Sequence, residues 1–282
     1  VYRGMVDADW EPLTSLQRLE HCEERESMIE SAALRSFRNR AANALPESAS
    51  VLEWLSLAQH HGAPTRLLDF SQSPLVALYF ATDDSSQDHR DGVIWCVYPR
   101  NCFTASNCFQ EYDLWRDATG EEWWFVARFD QIKKFVHHMC SISDDKHTNQ
   151  LGQLQCLNDS LLFIETADTH PRVKAQQHVF AVATKPNRKI GDFLREKQIE
   201  MDEKGWDHLS NPDMDDKFIK NAKGNNSIYD SEKIYYRRII IPADKKKEFR
   251  GKLRLLGVNA STIMPDHDGL GKWLMEYYKS EV

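Results

Sequence analysis

With 282 residues, 41% of them hydrophobic and 28% charged, the chain can bury a sizeable core as one large domain or two small ones. A formal net charge of -7 argues against a mainly electrostatic grip on nucleic acid and leaves room only for a local basic groove. No apolar run approaches the roughly 18–20 residues of a membrane span and nothing resembles a signal peptide, so a cytoplasmic protein without a membrane partner is expected. Val1 rather than Met opens the sequence, which leaves an upstream start open. The six cysteines (Cys22, Cys96, Cys102, Cys108, Cys140, Cys156) form no CxxC pair and no zinc spacing, and are expected as free thiols.

Val1 to Met5 reads as a short strand stopped by Gly4. A long helix is expected next, with Leu16, Leu19, Cys22, Ile29, Ala33 and Phe37 at helical spacing, acids early, bases late and Pro46 beyond its end. Ser50 with Glu53 is a capping-box pattern for a second helix that Gly62 and Pro64 stop. Arg66 to Phe70 is a strand, and Ser73-Pro74 caps and opens a third helix carrying Leu75, Val76, Leu78, Tyr79 and Phe80 inward. After a polar loop from Asp83 to Asp91, Gly92 to Tyr98 reads as a buried strand.

Trp115, Trp123, Trp124, Phe125 and Phe129 mark an aromatic stretch that is core or the wall of a cleft. Ser160 to Glu165 and His178 to Ala183 read as strands joined by a loop, Thr166 to Gln177. Gly191 to Ser231 is polar enough for an insertion or lid. Ile234 to Ile241 is a strand, Ala243 to Leu256 a helix closed by Gly257, and a last helix starts near Asp268. Strands and helices mix without a βαβ rhythm, so the class is α+β. There is no Gly-rich phosphate loop and no nucleophile elbow.

Gln59 to Pro74 packs a helix end, a strand and a helix start into one short run and crowds His60, His61, Arg66, Asp69, Ser71 and Ser73 at its two turns. Such an edge suits a small charged ligand. Each group also has a plainer role. Arg3 fits a phosphate clamp or a partner for a buried acid such as Asp69. Arg66 and Asp69 fit an internal ion pair, Ser73 an N-cap, and His60 a helix C-terminus. Gln176 fits a substrate contact or a partner for loop backbone. Asp266 and Asp268 fit a divalent ion, as in a metal-dependent nuclease, although an N-cap at Asp268 is the simpler role; no metal site is expected. The run Lys245-Lys246-Lys247 fits a solvated helix face.

Tyr2-Arg3-Gly4, Ala58-Gln59-His60, Pro64-Thr65-Arg66-Leu67-Leu68-Asp69-Phe70-Ser71, Ser73-Pro74 and Ala77-Leu78-Tyr79-Phe80-Ala81 together resemble the FRG domain family. Arg172, Ala175-Gln176, Phe180, Leu256-Gly257 and Met264-Pro265-Asp266-His267-Asp268-Gly269 continue the likeness. It spans nearly all of residues 1–282 as a single FRG-type domain, with 191–231 as the polar insertion. The first elements are also similar to ADP-ribosyltransferases of the Arg–Ser–Glu type, in Tyr2-Arg3-Gly4 and in Ser71-Gln72-Ser73 followed by Ala77 and Phe80. The third element departs, because Gln176 has no Glu two residues later.

That second resemblance implies a split, mixed or antiparallel sheet with flanking helices. It also implies NAD as substrate, a protein or nucleic-acid acceptor, and a bacterial toxin or anti-phage effector with an antitoxin or regulatory partner. Arg3 and Gln176 with an acid such as Glu165 would be catalytic. Tyr2, Arg3, Gly4, His60, Arg66, Asp69, Ser71 and Ser73 would bind NAD. The missing carboxylate matters because breaking the nicotinamide–ribose bond builds positive charge on the sugar, and losing one preorganised group costs about 3–4 kcal/mol. Glu165 serving in its place, slow catalysis, and a non-catalytic nucleotide- or phosphate-binding module all stay open at this level.

Overall fold

The computed structural model describes residues 1–19, 25–46, 49, 51–99, 127–128, 161–165, 171–183, 187–204 and 236–280. The aromatic stretch around Trp115 to Phe129, the Ser50 cap and the segment 205–231 lie outside the described residues. In chain order the elements are β1 (Tyr2–Met5), α1 (Glu26–Arg40), α2 (Val51–His60), β2 (Leu67–Ser71), α3 (Pro74–Thr82), β3 (Gly92–Val97), β4 (Ala127–Arg128) and β5 (Leu161–Glu165). They continue with α4 (Pro171–Ala175), β6 (His178–Ala183), α5 (Ile190–Lys204), β7 (Tyr236–Ile241), α6 (Lys246–Leu255), α7 (Ala260–Ile263) and α8 (His267–Ser280).

The class is α+β. Among the described residues one seven-stranded sheet runs β4-β5-β6-β2-β1-β3-β7, antiparallel throughout except for the parallel β4–β5 pair. Its centre is thinly joined. Whereas β2 pairs with β6 from Leu67↔Val182 to Ser71↔His178, β1 meets β2 at a single registered pair, Tyr2↔Ser71. Below that pair Arg3 Nη1 donates 2.6 Å to the Asp69 carbonyl, so a side chain takes the place of a ladder hydrogen bond.

Side-chain alternation gives the sheet two covered faces. On one, Met5, Leu68, Phe70, Trp95, Phe163, Val179 and Ala181 pack against Ile190, Phe193 and Leu194 of α5. Phe70 and Phe163 meet edge to face with centroids 5.5 Å apart, a favourable aromatic geometry. On the other, Ala77 and Ala81 of α3 lie over Ile94 and Ile241, with Tyr2 beside them. The outer side of α3 (Val76, Tyr79) packs in turn on Leu253, Ala260 and Ile263 of α6 and α7.

Gly4 sets how close α3 can come. A Cβ there would lie 1.7 Å from the Ala77 carbonyl oxygen, so only glycine lets helix and strand touch. Gly269 does the same beneath α8, where a Cβ would fall 1.8 Å from the Met264 carbonyl oxygen.

Several expectations are corrected. The first helix begins at Glu26 rather than near Leu16: Leu16 is fully buried, but its N–H bonds to the Thr65 carbonyl and holds the segment in a turn. The expected loop from Thr166 to Gln177 contains the short helix α4. The expected insertion at 191–231 starts inside α5, whose Phe193 and Leu194 are core. Of the basic run at 245–247, Lys246 is not solvated: it is fully buried, with Nζ donating to Val6 and Gln87 carbonyls at 2.6 and 2.9 Å. The Asn259 capping box that opens α7 had no sequence expectation.

Candidate functional site

Three segments far apart in sequence meet at one end of β1, β2 and β6. Tyr2 is registered with Ser71 and Ser71 with His178, which makes one cross-strand row. Two residues along β2, the Asp69 carboxylate is gripped from both sides. His178 Nε2 and Gln59 Nε2 each lie 2.8 Å from its Oδ1. The Thr65 hydroxyl bonds Gln59 Oε1 in turn, so residues from α2, the turn before β2, and β6 all converge on one carboxylate.

The Asp69 side chain remains 53% exposed while that of His178 is 7% exposed, so Asp69 is the member of the pair that solvent or a ligand reaches. Burial alone would raise the Asp69 carboxyl. The His178 hydrogen bond, then the charges of His178 and Arg3, then the Gln59 hydrogen bond outweigh it and hold the group below its usual value. Oδ2 accepts nothing among the described residues. His178 stacks edge-on against Phe180, centroids 4.2 Å apart, which with the Nε2 bond holds the ring behind the carboxylate; its Nδ1 is buried with no partner among the described residues.

Arg3 is half-buried beside this carboxylate. Burial, opposed by the nearby Asp69 and helped by the like charge of Arg18, brings its guanidinium down to about 10, still a cation at neutral pH. One nitrogen bonds the Asp69 carbonyl and Nε is buried with no partner among the described residues. A cation so incompletely satisfied suits a ligand phosphate.

The other expected site residues are placed as follows. Arg66 does not pair with Asp69. Its guanidinium turns into a buried ion pair with Glu30, 2.6 Å long, with a second bond from Nε at 2.7 Å and the Arg66 N–H also on Glu30 at 2.8 Å. That position takes it out of the candidate site. The Ser71 hydroxyl is buried, donating 2.6 Å to the Gln176 carbonyl and accepting the Ser73 N–H at 2.9 Å, and so ties β2 to the chain entering β6. Ser73 caps α3, accepting the Val76 N–H at 3.4 Å, with Pro74 at the first helical position.

Gln176 reaches away from the row and donates 3.2 Å to the Ile263 carbonyl. Tyr2 is half-buried in the α3 cluster, and burial with the neighbouring Cys96 raises its phenol. His60 is exposed and edge-on to His61, 5.1 Å between centroids. Gly4 is where α3 presses on β1. Glu165 ends β5 opposite Val179, and its side chain is outside what the structure describes.

Arg172 and Asp266 form an ion pair, and Asp268 lies within 3.6 Å of the same guanidinium. Asp266, not Asp268, caps α8: its Oδ1 accepts the Gly269 N–H at 2.9 Å, and the Arg172 bond with that N–H holds its carboxyl at about 2. The Asp268 side chain is 93% exposed. No group of three or more metal-ligating side chains occurs among the described residues.

Sequence reading passed over His178 and Glu30. A signal for the first was present: β6, HVFAVA, is buried along its whole length and His178 is its one titratable residue. Glu26 and Glu30, four apart in α1, are both buried; Glu26 in the first turn suits the helix dipole, and nothing local marks Glu30 as the partner of Arg66.

No helix among the described residues is long and apolar enough to cross a membrane. No curated protein and no solved structure matches the chain. The FRG domain model matches residues 1–90, so that span is similar to an FRG domain; it holds Arg3, Gln59, Thr65, Asp69 and Ser71 and stops before His178.

Proposed function

We propose that the chain is an NAD-using ADP-ribosyltransferase-like protein whose substrate sits at the Arg3–Asp69–His178 face and whose acceptor is a macromolecule. The observation that carries this reading is the Tyr2–Ser71–His178 row, because it joins the three separated elements on which the resemblance rests. Arg3, with a buried nitrogen that has no partner among the described residues, suits the diphosphate of a dinucleotide. The Asp69 carboxylate beside it suits a ribose hydroxyl, the contact by which acidic residues commonly hold NAD. Arg3 and Asp69 therefore offer the two chemistries that a nucleotide carries. The net charge of -7 favours a protein acceptor or a short, site-specific nucleic-acid contact.

A second reading, a nucleotide- or phosphate-binding module without chemistry, is favoured by one observation. The Ser71 hydroxyl and the Gln176 amide are already engaged with backbone, and position 178 carries His where the resemblance asks for an acid.

Nicotinamide release from NAD, measured with cell lysate as acceptor source, separates the two. The transferase reading expects release with label transferred to a macromolecule, and a loss of about 100-fold or more in Arg3→Ala with its fold retained. Protection against heat by NAD with no release would favour the binding module.

A further inference from the structure

We infer, on the NAD reading just given, that Asp69 supplies the carboxylate missing from position 178, with His178 and Gln59 as its positioning residues. The geometry behind this is a relocation. The third element offers Gln176-Gln177-His178, and His178 does not leave an uncharged gap. Its Nε2 holds Asp69 Oδ1 at 2.8 Å across the β2–β6 pair. The acid thus comes from β2, two residues before Ser71, instead of from the strand beside it. Gln59 holds the same oxygen at 2.8 Å, which leaves Oδ2 for a ribose hydroxyl.

A carboxylate anchored through one oxygen and half exposed through the rest is preorganised, so it needs little reorientation as charge develops. In the reaction, the bond from ribose C1′ to the nicotinamide nitrogen breaks and its electron pair leaves on nicotinamide. A bond forms from C1′ to an acceptor oxygen or nitrogen, whose proton passes to water. Asp69 stays ionised throughout, accepts the ribose hydroxyl, and opposes the positive charge that builds on the sugar. Arg3 of β1 and His178 of β6 are the charged or titratable groups that bear on it, with the neutral Gln59 of α2.

The test measures nicotinamide release and NAD affinity in wild-type protein, Asp69→Asn, His178→Gln and His178→Leu, each first shown to be folded by circular dichroism and thermal melting. In Asp69→Asn, kcat is expected to fall about 100- to 1000-fold, and NAD affinity to fall much less than kcat because the amide oxygen still accepts the ribose hydroxyl. His178→Gln keeps a side-chain N–H donor and stays within about 10-fold of wild type. His178→Leu loses the bond that lowers the Asp69 carboxyl, so the acid limb of its kcat profile moves to higher pH. That movement is a readout that a purely structural role for His178 does not give.

A folded Asp69→Asn with wild-type kcat overturns the inference and leaves the NAD reading standing, as does an acid limb that stays put in His178→Leu. Should Asp69→Asn fail to fold, the His178→Leu profile decides alone. Wild-type protein that binds NAD but releases no nicotinamide overturns the transferase reading and this inference together.

Discussion

Arg3, in β1, and Arg66, in the turn just before β2, are satisfied very differently. The Arg66 side chain is 7% exposed against a Glu30 that is 2% exposed, and carboxylate, guanidinium and backbone N–H close on one another. Nothing is left over for a ligand. Arg3 spends one nitrogen on a backbone carbonyl, keeps Nε buried with no partner among the described residues, and has the nearby Asp69 carboxylate claimed by His178 and Gln59. A fully matched buried charge is a fastener, whereas an incompletely matched one beside an accessible carboxylate has bonding capacity to offer. By that criterion the candidate site is at Arg3, although Arg66 sits in the more conspicuous motif.

The largest effect should come from breaking the fastener. Glu30→Ala leaves the Arg66 guanidinium buried without its counter-ion, which typically costs about 3–5 kcal/mol. Urea unfolding should show that loss while NAD affinity of the folded fraction stays near wild type. A loss below about 1 kcal/mol would mean that Arg66 finds water or another acid, and the contrast with Arg3 would collapse.

Gly4→Ala probes the other arginine through its neighbour. The added Cβ meets the backbone of α3, which cannot give way as a flexible side chain would. Overpacking of this kind costs about 1–3 kcal/mol, occasionally more. Because β1 must shift to relieve it, Arg3 shifts as well, and NAD affinity is expected to fall together with stability. A variant that loses stability but keeps affinity would detach Arg3 from the ligand.

Local chemistry was legible in the sequence where one residue type dictates one geometry. Ser73-Pro74 announces the start of α3, Gly257 with φ +75 ends α6, and the run HVFAVA is a strand with the expected bounds. Class followed from the order of elements. What escaped depends on contacts between distant segments. Leu16 has helical spacing, but its N–H goes to Thr65, 49 positions on. The α5 segment looks polar because nine of its fifteen residues are charged or amide-bearing, yet Ile190, Phe193 and Leu194 suffice to seat it in the core.

The candidate site divides the same way. Arg3, Asp69 and Ser71 were named from their motifs, while the pairing of Asp69 with His178 spans 109 positions, and no local pattern announces which acid a histidine will find. Arg66 shows the converse: its motif is conspicuous, and its partner is 36 positions upstream in α1.

The smallest effect expected is a pH dependence. The Asp69 carboxyl is held below its unfolded value, ordinarily about 3.9. The folded state therefore binds that proton less readily than the unfolded chain, so the contribution to stability is fully present above about pH 5 and is lost as the pH falls through the lowered folded value. With the side chain half exposed, solvent screens the interaction and the slope should be shallow. Thermal melts between pH 3 and 6 should lose part of their slope in Asp69→Asn. The Asp266 carboxyl is likewise held down, at about 2, by Arg172. Asp266→Asn should therefore lower the melts most at pH 5 to 6 and progressively less toward pH 3, where the wild-type contribution is already being lost. If Asp69→Asn melts with the full wild-type slope, the His178 and Gln59 bonds contribute no stability, and their role is confined to aiming the carboxylate.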